Sequence, residues 1–236
     1  MARSIPDPIS GLPWRPFKAE EEIDHECESL IRHFFDLCPD IATPSPLTTD
    51  DLTVMIEAYA ERLDLYADMR VEVEGLTTIN ATTPPVVRIN RLLTTAAHRS
   101  NRFRSTLAHE LYHVVFHAPY YQDMCKQTHL FESTQAEFVC KRSTILRANR
   151  VDWREWQSAY GAGAFLMPLT ALQHVMREHS ATYGFPPYIE GSQEAHEVVD
   201  LIASCFEVSR QAAEVRLWQK GWLHAAADDQ QGRLFR

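Results

Sequence analysis

The segment His109-Glu110-Leu111-Tyr112-His113 decides how this chain is interpreted. It has the pattern H-E-x-x-H, in which two histidines are four residues apart and a glutamate follows the first. On an α-helix, residues i and i+4 share one face, so His109 and His113 can present their imidazoles to a single ion. Glu110 lies one step round the helix, close to water that such an ion would activate. The pattern therefore predicts His109 and His113 as metal ligands and Glu110 as the catalytic base.

The residues around this segment favour a helix. Apolar residues recur there with helical spacing and would form one stripe along the helix. At about 100° per residue, the histidines fall on a different stripe. Pro119 predicts the end of the helix, because proline lacks the amide hydrogen that the helix needs. The apolar stripe consists of Leu107, Leu111, Val114, Val115 and Ala118.

A catalytic zinc usually takes three protein ligands and leaves the fourth position to water, so a third ligand must be found. His117 repeats the spacing of the first two histidines. However, it lies about 12 Å along the helix axis from His109. Three rings with that rise cannot meet one ion at bond lengths of about 2.1 Å. We therefore interpret His117 as a neighbour that orients a ligand or lines the cleft.

Three stretches of the chain resemble one known family. The residues Phe103–His117, FRSTLAHELYHVVFH, resemble the motif helix of the ImmA/IrrE family of metallopeptidases. The stretch Glu155–Pro168, EWQSAYGAGAFLMP, is similar to the family segment that supplies a glutamate ligand. The stretch Leu201–Leu217, LIASCFEVSRQAAEVRL, resembles the ending that recurs in the family. Together the three stretches cover roughly half of the chain in the order that the family has.

The resemblance implies a metal-dependent endopeptidase in which Glu155 joins His109 and His113 as a ligand. This ligand set suits Zn²⁺, although the same residue types also accept Mn²⁺ or Fe²⁺. Family members commonly cleave a helix-turn-helix transcriptional repressor and so derepress stress or mobile-element genes, which makes such a repressor the implied partner. Spacing alone leaves Glu132 and Glu137 open as rival ligands.

Some residues depart from the family pattern. Tyr112 replaces the glycine inside the motif, and we expect its ring to narrow the cleft. Ser158, Ala159 and Gly161 replace the family's alanine, asparagine and phenylalanine. These departures leave open an alternative function, in which the chain is a non-proteolytic metal-containing interaction module that binds a regulator.

The C-terminal region predicts two helices, about 192–206 and 210–220, joined by a short turn. This arrangement is helix-turn-helix-like, so a DNA-binding regulator is a further alternative. Acidic residues nevertheless offset the basic ones here, and the whole chain has a formal net charge of −9 and a pI near 5.6. Because non-specific DNA affinity comes from neutralising phosphates, direct DNA binding is a poor interpretation.

The composition, 45% hydrophobic and 23% charged residues, is typical of a globular protein. The N-terminal residues carry prolines and acids where a secretory signal would be apolar, and no run of 18 apolar residues is present. We therefore expect a cytoplasmic protein that makes no membrane contact. The chain has five cysteines, an odd number that suits a reducing compartment.

Two further site questions remain open in the sequence. Cys125, His129 and Cys140 could hold a second, structural zinc, but no fourth cysteine or histidine lies nearby, and we favour buried or free thiols. A group that stabilises the oxyanion of the reaction is also expected. Its candidates are Tyr112, His117, Tyr120, Tyr121 and His196.

The predicted fold class is α+β, a zincin-like metallopeptidase with mostly helices, a small β-sheet and a helical C-terminal region with a helix-turn-helix-like segment. Helical periodicity predicts a first helix over Glu20–Asp36 and a second one capped by Thr49. Alternation predicts strands at Arg70–Glu74 and Val86–Asn90. An edge strand beside the cleft could bind substrate by strand addition. The predicted domains are an N-terminal arm and helix (1–46), a metallopeptidase core with an insertion at about 119–152 (47–191) and a C-terminal helical region (192–236).

Overall fold

The structure is a computed structural model that describes residues 3–7, 14–35, 46–127, 135–141 and 152–225. The chain divides into two compact units, Met1–Leu169 and Thr170–Arg236. The domain boundaries that the sequence suggests, at residues 46 and 191, stay a prediction. Within the described residues, no helix combines the length and the apolar character that crossing a membrane requires.

The first unit begins with a β-hairpin followed by a helix. Strand β1 (Arg3–Pro6) pairs antiparallel with β2 (Trp14–Phe17), where the sequence predicts an extended arm. Helix α1 (Glu20–Phe34) follows with three glutamates in its first turn, where the helix dipole favours negative charge. It buries Ile23 and Cys27 completely. The predicted first helix is therefore confirmed.

The second helix, α2 (Thr49–Tyr59), is also confirmed, but the predicted cap is wrong by one residue. Thr48 is the N-cap, and its hydroxyl accepts a hydrogen bond from the Asp51 amide at 3.1 Å. The Asp51 carboxylate accepts one in return from the Thr48 amide at 2.8 Å. This reciprocal capping box requires an acidic residue three positions after the cap, and Asp51 satisfies that spacing for Thr48.

A four-stranded mixed sheet lies in the first unit. Its strands occur in the spatial order β3-β5-β4-β6, with β3 parallel to β5 and the other two pairs antiparallel. The strands β3 and β6 therefore form the two edges of the sheet. The strands are β3 (Arg62–Ala67), β4 (Val73–Asn80), β5 (Val86–Asn90) and β6 (Gln135–Lys141).

The strand predictions have a mixed outcome. The strand predicted at Val86–Asn90 is confirmed as β5. The strand predicted at Arg70–Glu74 is wrong, because β4 begins only at Val73 and continues to Asn80. Most of its residues are buried on both faces of the sheet, so β4 lacks the alternation on which the prediction depended. Strand β6 lies inside the segment 119–152 that the sequence marks as an insertion.

The motif lies on a long, nearly continuous helix. Helix α4 (Ser100–Tyr112) passes into a π-helical segment (His113–His117) and then into α5 (Ala118–Gln127). The predicted helix end at Pro119 is therefore wrong. The Ala118 amide bonds to the His113 carbonyl five residues earlier, and this wider turn before Pro119 relieves the clash that a proline makes with an α-helical carbonyl. Two short elements precede α4, namely α3 (Arg91–Thr94) and a 3₁₀ turn (Ala97–Arg99).

Helix α6 (Trp153–Leu166) completes the first unit and packs against both α1 and α4. It begins at Asp152, whose carboxylate accepts a hydrogen bond from the Arg154 amide at 3.2 Å. Glu155 lies in the first turn of α6, and α6 packs against the motif helix α4. The combination of helices with a small mixed sheet confirms the predicted α+β, zincin-like class.

The second unit consists mainly of helices. Helix α9 and helix α10 pack together and are joined by a turn at Glu207, which has φ of 51°. The predicted pair of C-terminal helices is therefore confirmed. The elements of this unit are α7 (Leu169–Glu178), α8 (Ser180–Tyr183), β7 (Tyr188–Ile189), α9 (Gln193–Cys205), α10 (Arg210–Gln219) and β8 (Leu223–His224).

Candidate metal centre

The two motif histidines face each other inside the first unit. His109 lies in the last turn of α4, and His113 begins the π-helical segment. Their Nε2 atoms are 3.2 Å apart, and neither residue has exposed surface. The i, i+4 spacing therefore brings both rings to one point, as helix geometry predicts.

Glu155 approaches this point from α6. Its Oε2 lies 3.2 Å from His109 Nε2, and its Oε1 lies 3.5 Å from His113 Nε2. In a tetrahedral site with bonds of about 2.1 Å, neighbouring ligand atoms are about 3.4 Å apart. Two imidazole nitrogens and a carboxylate are also the donor types that zinc prefers. The three residues thus fit a divalent cation in both spacing and chemistry.

The ionisation of these groups reflects their mutual contact. Burial by itself would raise the pKa of Glu155, but the polar contacts with His109 and His113 outweigh it and hold the pKa well below its ordinary range. Burial by itself would lower the pKa of His109, but Glu155 outweighs it and raises the pKa. For His113 burial prevails, and the pKa is lowered. The site therefore contains an ionised carboxylate in contact with two histidine rings.

Glu110 lies beside the cluster in a fully buried position. Its Oε2 accepts a hydrogen bond from the Thr77 hydroxyl of β4 at 2.5 Å. Burial raises the pKa of Glu110 to about 7, although His109 and Thr77 oppose the shift. A carboxylate with a pKa near neutrality can both accept and return a proton, which is what a general base and acid requires.

Gly75 of β4 makes room for that carboxylate. A Cβ atom at position 75 would collide with Glu110 and would approach Thr106 Cγ2 at 2.9 Å. Strand β4 therefore contributes two features to the site, a hydroxyl at Thr77 that holds Glu110 and an open space at Gly75. The sequence analysis missed both residues, because no spacing rule connects this strand to the motif helix.

Tyr112 and Gly161, which both depart from the family pattern, contact each other. Tyr112 is completely buried, and a Cβ atom at position 161 would overlap its ring. The ring also packs 4.7 Å from Phe116 and 5.1 Å from His117, measured between centroids. Tyr112 thus fills space inside the fold, where the sequence suggested a narrower cleft. A large residue at 112 and a glycine at 161 are a matched pair.

His117 contacts a ligand residue without belonging to the ligand cluster. Its Nδ1 lies 2.9 Å from Nδ1 of His113, and its Nε2 lies 3.1 Å from Oε1 of Gln157 on α6. Burial holds the pKa of His117 well below its ordinary value, so the ring is neutral. Both ring nitrogens are therefore engaged away from the point where His109, His113 and Glu155 meet.

The other candidate residues occupy different positions. Glu137 is exposed on β6, and Glu132 lies outside the described residues. Tyr120 donates a hydrogen bond to the Trp14 carbonyl at 2.7 Å, and Tyr121 packs in a core cluster. His196 is exposed on α9 in the second unit.

The possible second zinc site involves a residue that the structure does not describe, His129. Cys125 is buried in the apolar cluster with Phe138. Cys140 is buried on β6, and its Sγ lies within 4.8 Å of ligand atoms of both His109 and Glu110. Within the described residues, Cys27, Cys125, Cys140 and Cys205 form no disulfide.

Comparison with known proteins places this geometry in a family. No curated protein gives a significant match to the chain. A peptidase family model described as the IrrE N-terminal-like domain matches residues 66–218, which is more than half of the chain and includes the motif and Glu155. The resemblance drawn from the sequence is confirmed, and the chain belongs to the peptidase family of the IrrE N-terminal-like domain.

Proposed function

We propose that this protein is a zinc-dependent endopeptidase. The observation that carries the proposal is the convergence of two imidazoles and one carboxylate, from His109, His113 and Glu155, at spacings of 3.2 to 3.5 Å. When bound, zinc would supply a Lewis acid that polarises the scissile carbonyl and acidifies the attacking water. The same ligand types would also accept Mn²⁺ or Fe²⁺.

Glu110 is the general base in this proposal. It takes a proton from water, the resulting hydroxyl adds to the carbonyl carbon, and the carbon–nitrogen bond breaks as Glu110 returns the proton to the leaving amine. The hydrogen bond from Thr77 and the space above Gly75 support this role, because they fix the carboxylate beside the cluster without making it a ligand.

Strand β6 is the proposed edge for substrate binding. It pairs with β4 on one side, and among the described residues no strand pairs with its other side. Phe138 of β6 lies 4.8 Å from the His113 ring between centroids. An extended peptide that added to this edge would run beside the proposed centre, with backbone hydrogen bonds that require no particular sequence.

The proposed substrate is a helix-turn-helix transcriptional repressor whose cleavage derepresses stress or mobile-element genes. This part rests on the family membership together with an active centre suited to cutting peptide bonds. Two other roles receive less support. The contact between Tyr112 and Gly161 explains by packing two of the departures that suggested a non-proteolytic interaction module. In the second unit, Arg210 forms an ion pair with Asp200 and Arg216 is buried, so one basic residue of the helix-turn-helix-like segment is neutralised by an acid and another is enclosed.

The first test is the metal content of purified protein by elemental analysis. We expect about one zinc per chain in the wild type and in Glu110→Gln, and little in Glu155→Ala. A wild-type protein that stays empty when zinc is supplied would contradict the proposal and favour the interaction module.

The second test is proteolysis. Zinc-loaded wild type should cut at least one repressor from a panel of helix-turn-helix repressors, with new termini identified by mass spectrometry. Glu110→Gln, loaded with the same amount of zinc, should leave every repressor intact. Biological activity that survives in Glu110→Gln would count for the interaction module, and a specific, salt-dependent shift of promoter DNA would count for the DNA-binding alternative.

A further inference from the structure

A chain of hydrogen bonds leads from His113 away from the ligand cluster. His113 Nδ1 contacts His117 Nδ1 at 2.9 Å, and His117 Nε2 contacts Gln157 Oε1 at 3.1 Å. Gln157 Nε2 then donates to the carbonyl of Pro16 on strand β2 at 3.3 Å. His113, His117 and Gln157 are each at most 2% exposed. This series of hydrogen bonds is therefore shielded from water and links a proposed ligand to the N-terminal hairpin.

The acceptor at the far end fixes the direction of every bond. A backbone carbonyl can only accept, so the amide nitrogen of Gln157 must face Pro16 and its oxygen must face His117. That oxygen can also only accept, so His117 presents a proton on Nε2, and an imidazole with a single proton keeps a lone pair on its other nitrogen, Nδ1. The remaining contact is then a donation from His113 Nδ1 to His117 Nδ1.

The consequence lies at the proposed metal centre. With its proton on Nδ1, His113 has its lone pair on Nε2, the atom that points at His109 and Glu155. A histidine can bind metal only through a nitrogen that carries no proton. His109 differs from His113 in this respect, because within the described residues its Nδ1 has no hydrogen-bond partner.

We propose that His117 and Gln157 are positioning residues of the metal centre, with the N-terminal hairpin as their anchor. They hold His113 in the one tautomer and ring orientation that can bind metal. Pro16 lies outside the segment 66–218 that matches the family model, so these hydrogen bonds connect the hairpin to the matched domain. The role toward metal rests on the proposed function, whereas the tautomer of His113 can be measured without any metal.

Two variants of His117 distinguish its role as a hydrogen-bond acceptor from the packing role of its ring. His117→Phe keeps an aromatic ring for the contacts with Tyr112, Phe138 and Trp153 but cannot accept a hydrogen bond. His117→Asn returns an acceptor oxygen near the position of Nδ1. Gln157→Met removes the acceptor one step further along the chain and reports on the same proposal if His117→Phe fails to fold.

The matched control is Tyr120→Phe. Tyr120 also bonds to strand β2, through the Trp14 carbonyl at 2.7 Å, but it is not part of the hydrogen-bond chain. This variant weakens the attachment of the hairpin without touching His113 or its partners. Any effect that comes only from loosening the hairpin would therefore appear in Tyr120→Phe as well.

The first measurement is ¹⁵N nuclear magnetic resonance of the imidazoles in the metal-free, full-length protein at neutral pH. In the wild type and in Tyr120→Phe we expect His113 protonated on Nδ1 and His117 on Nε2. In His117→Phe the proton of His113 should move in part to Nε2, and His117→Asn should restore the wild-type form. The proposal would be overturned if His113 were protonated on Nε2 in the wild type. It would also be overturned if the tautomer of His113 were the same in His117→Phe as in the wild type.

The second measurement is the zinc dissociation constant by chelator competition, at a temperature where every variant is folded by circular dichroism. Loss of a partner of a ligand histidine weakens metal binding roughly 10- to 100-fold, and we expect this for His117→Phe. Gln157→Met should weaken binding in the same direction, while His117→Asn and Tyr120→Phe should stay within about threefold of the wild type. Equal weakening in Tyr120→Phe and His117→Phe would contradict the proposal. If the wild type binds no zinc but shows the expected tautomers, the proposed function fails and the positioning of His113 stands.

Discussion

Helix α4 in the first unit and helix α10 in the second unit follow the same local rules but bury different kinds of residue. Both continue an amphipathic pattern, yet α4 buries Thr106, His109 and Glu110 together with its apolar residues. Helix α10 buries Ala213, Leu217 and a single charged residue, Arg216, whereas its Arg210 pairs with Asp200 at the surface. Buried polar groups must satisfy one another, whereas exposed ones are satisfied by water. Substitutions should therefore have large, coupled effects around α4 and small, independent effects at the exposed positions of α10.

The largest expected effect is the loss of Glu155. Zinc sites with four protein ligands bind with about 10–16 kcal/mol in total, so one ligand is worth roughly 3 kcal/mol, or about a hundredfold or more in affinity. We expect Glu155→Ala to weaken zinc binding by at least that factor in chelator competition. The matched control is Glu137→Ala, which removes an exposed glutamate of β6 and should leave the affinity unchanged. Equal losses of zinc affinity in Glu155→Ala and Glu137→Ala would contradict the expected difference between the buried and the exposed carboxylate.

Tyr112 and Gly161 allow a swap that tests coupling around α4. Truncation of a buried aromatic costs about 3–5 kcal/mol, so Tyr112→Gly should strongly lower the free energy of unfolding. Gly161→Phe should also destabilise the protein, because the new side chain would overlap the Tyr112 ring. The double variant should recover at least about 1 kcal/mol relative to the sum of the two single changes.

Chemical denaturation measures all three variants of this swap. The matched control combines Tyr112→Gly with Ala195→Gly on α9, where the two changes should simply add, because the residues belong to different units. Additive effects in the Tyr112 and Gly161 pair would mean that the two departures from the family pattern arose independently. The packing explanation for both departures would then fail.

Features that depend on neighbours along the chain could be predicted from the sequence. The paired histidines, Glu110 beside them and strand β5 all follow from spacing within a few residues. The proposed third ligand, Glu155, lies 42 positions after His113 and needed the family resemblance, because spacing alone could not separate it from its rivals. Its meeting with the histidines depends on the packing of α6 against α4.

Features that depend on tertiary contacts could not be predicted. Thr77 and Gly75 act on Glu110 from a strand that is buried on both faces and so carries no alternation. The path through Gln157 to Pro16 joins residues 141 positions apart. The π-helical segment also escaped prediction, because Pro119 normally signals the end of a helix and only the structure shows the wider turn that accommodates it.

Glu110→Gln tests the comparison between α4 and α10 through the pH dependence of the free energy of unfolding. Burial raises the pKa of Glu110 from its ordinary value of 4.5 to about 7, so folding favours the protonated acid. The resulting stability is complete below pH 4.5 and is lost as the pH rises to about 7, which amounts to on the order of 3 kcal/mol. Glutamine has no proton to lose and avoids this loss. Metal-free Glu110→Gln should therefore gain stability relative to the metal-free wild type between pH 5 and pH 8.

Chemical denaturation in the presence of a chelator, at both pH values, measures this difference. The matched control is Glu137→Gln, because Glu137 is exposed and its replacement should leave the pH dependence of the wild type unchanged. If the wild type and Glu110→Gln respond to pH in the same way, Glu110 is not buried as a neutral acid. The buried charge of Glu110 would then no longer count among the differences between α4 and α10.

The smallest effects are expected on α10. Ser209 caps this helix, and its hydroxyl accepts a hydrogen bond from the Ala212 amide at 3.1 Å, so Ser209→Ala should cost about 1 kcal/mol. Arg210 and Asp200 are about half exposed, and breaking such an ion pair with Arg210→Ala should cost less than about 0.5 kcal/mol. The two losses should add in chemical denaturation, because a cap and a solvated ion pair share no buried partner. Zinc affinity should stay at the wild-type value in both variants, since no described residue of α10 belongs to the ligand cluster. A strong, non-additive loss here would mean that these surface positions of α10 are coupled to each other in the way expected for the buried polar residues of α4.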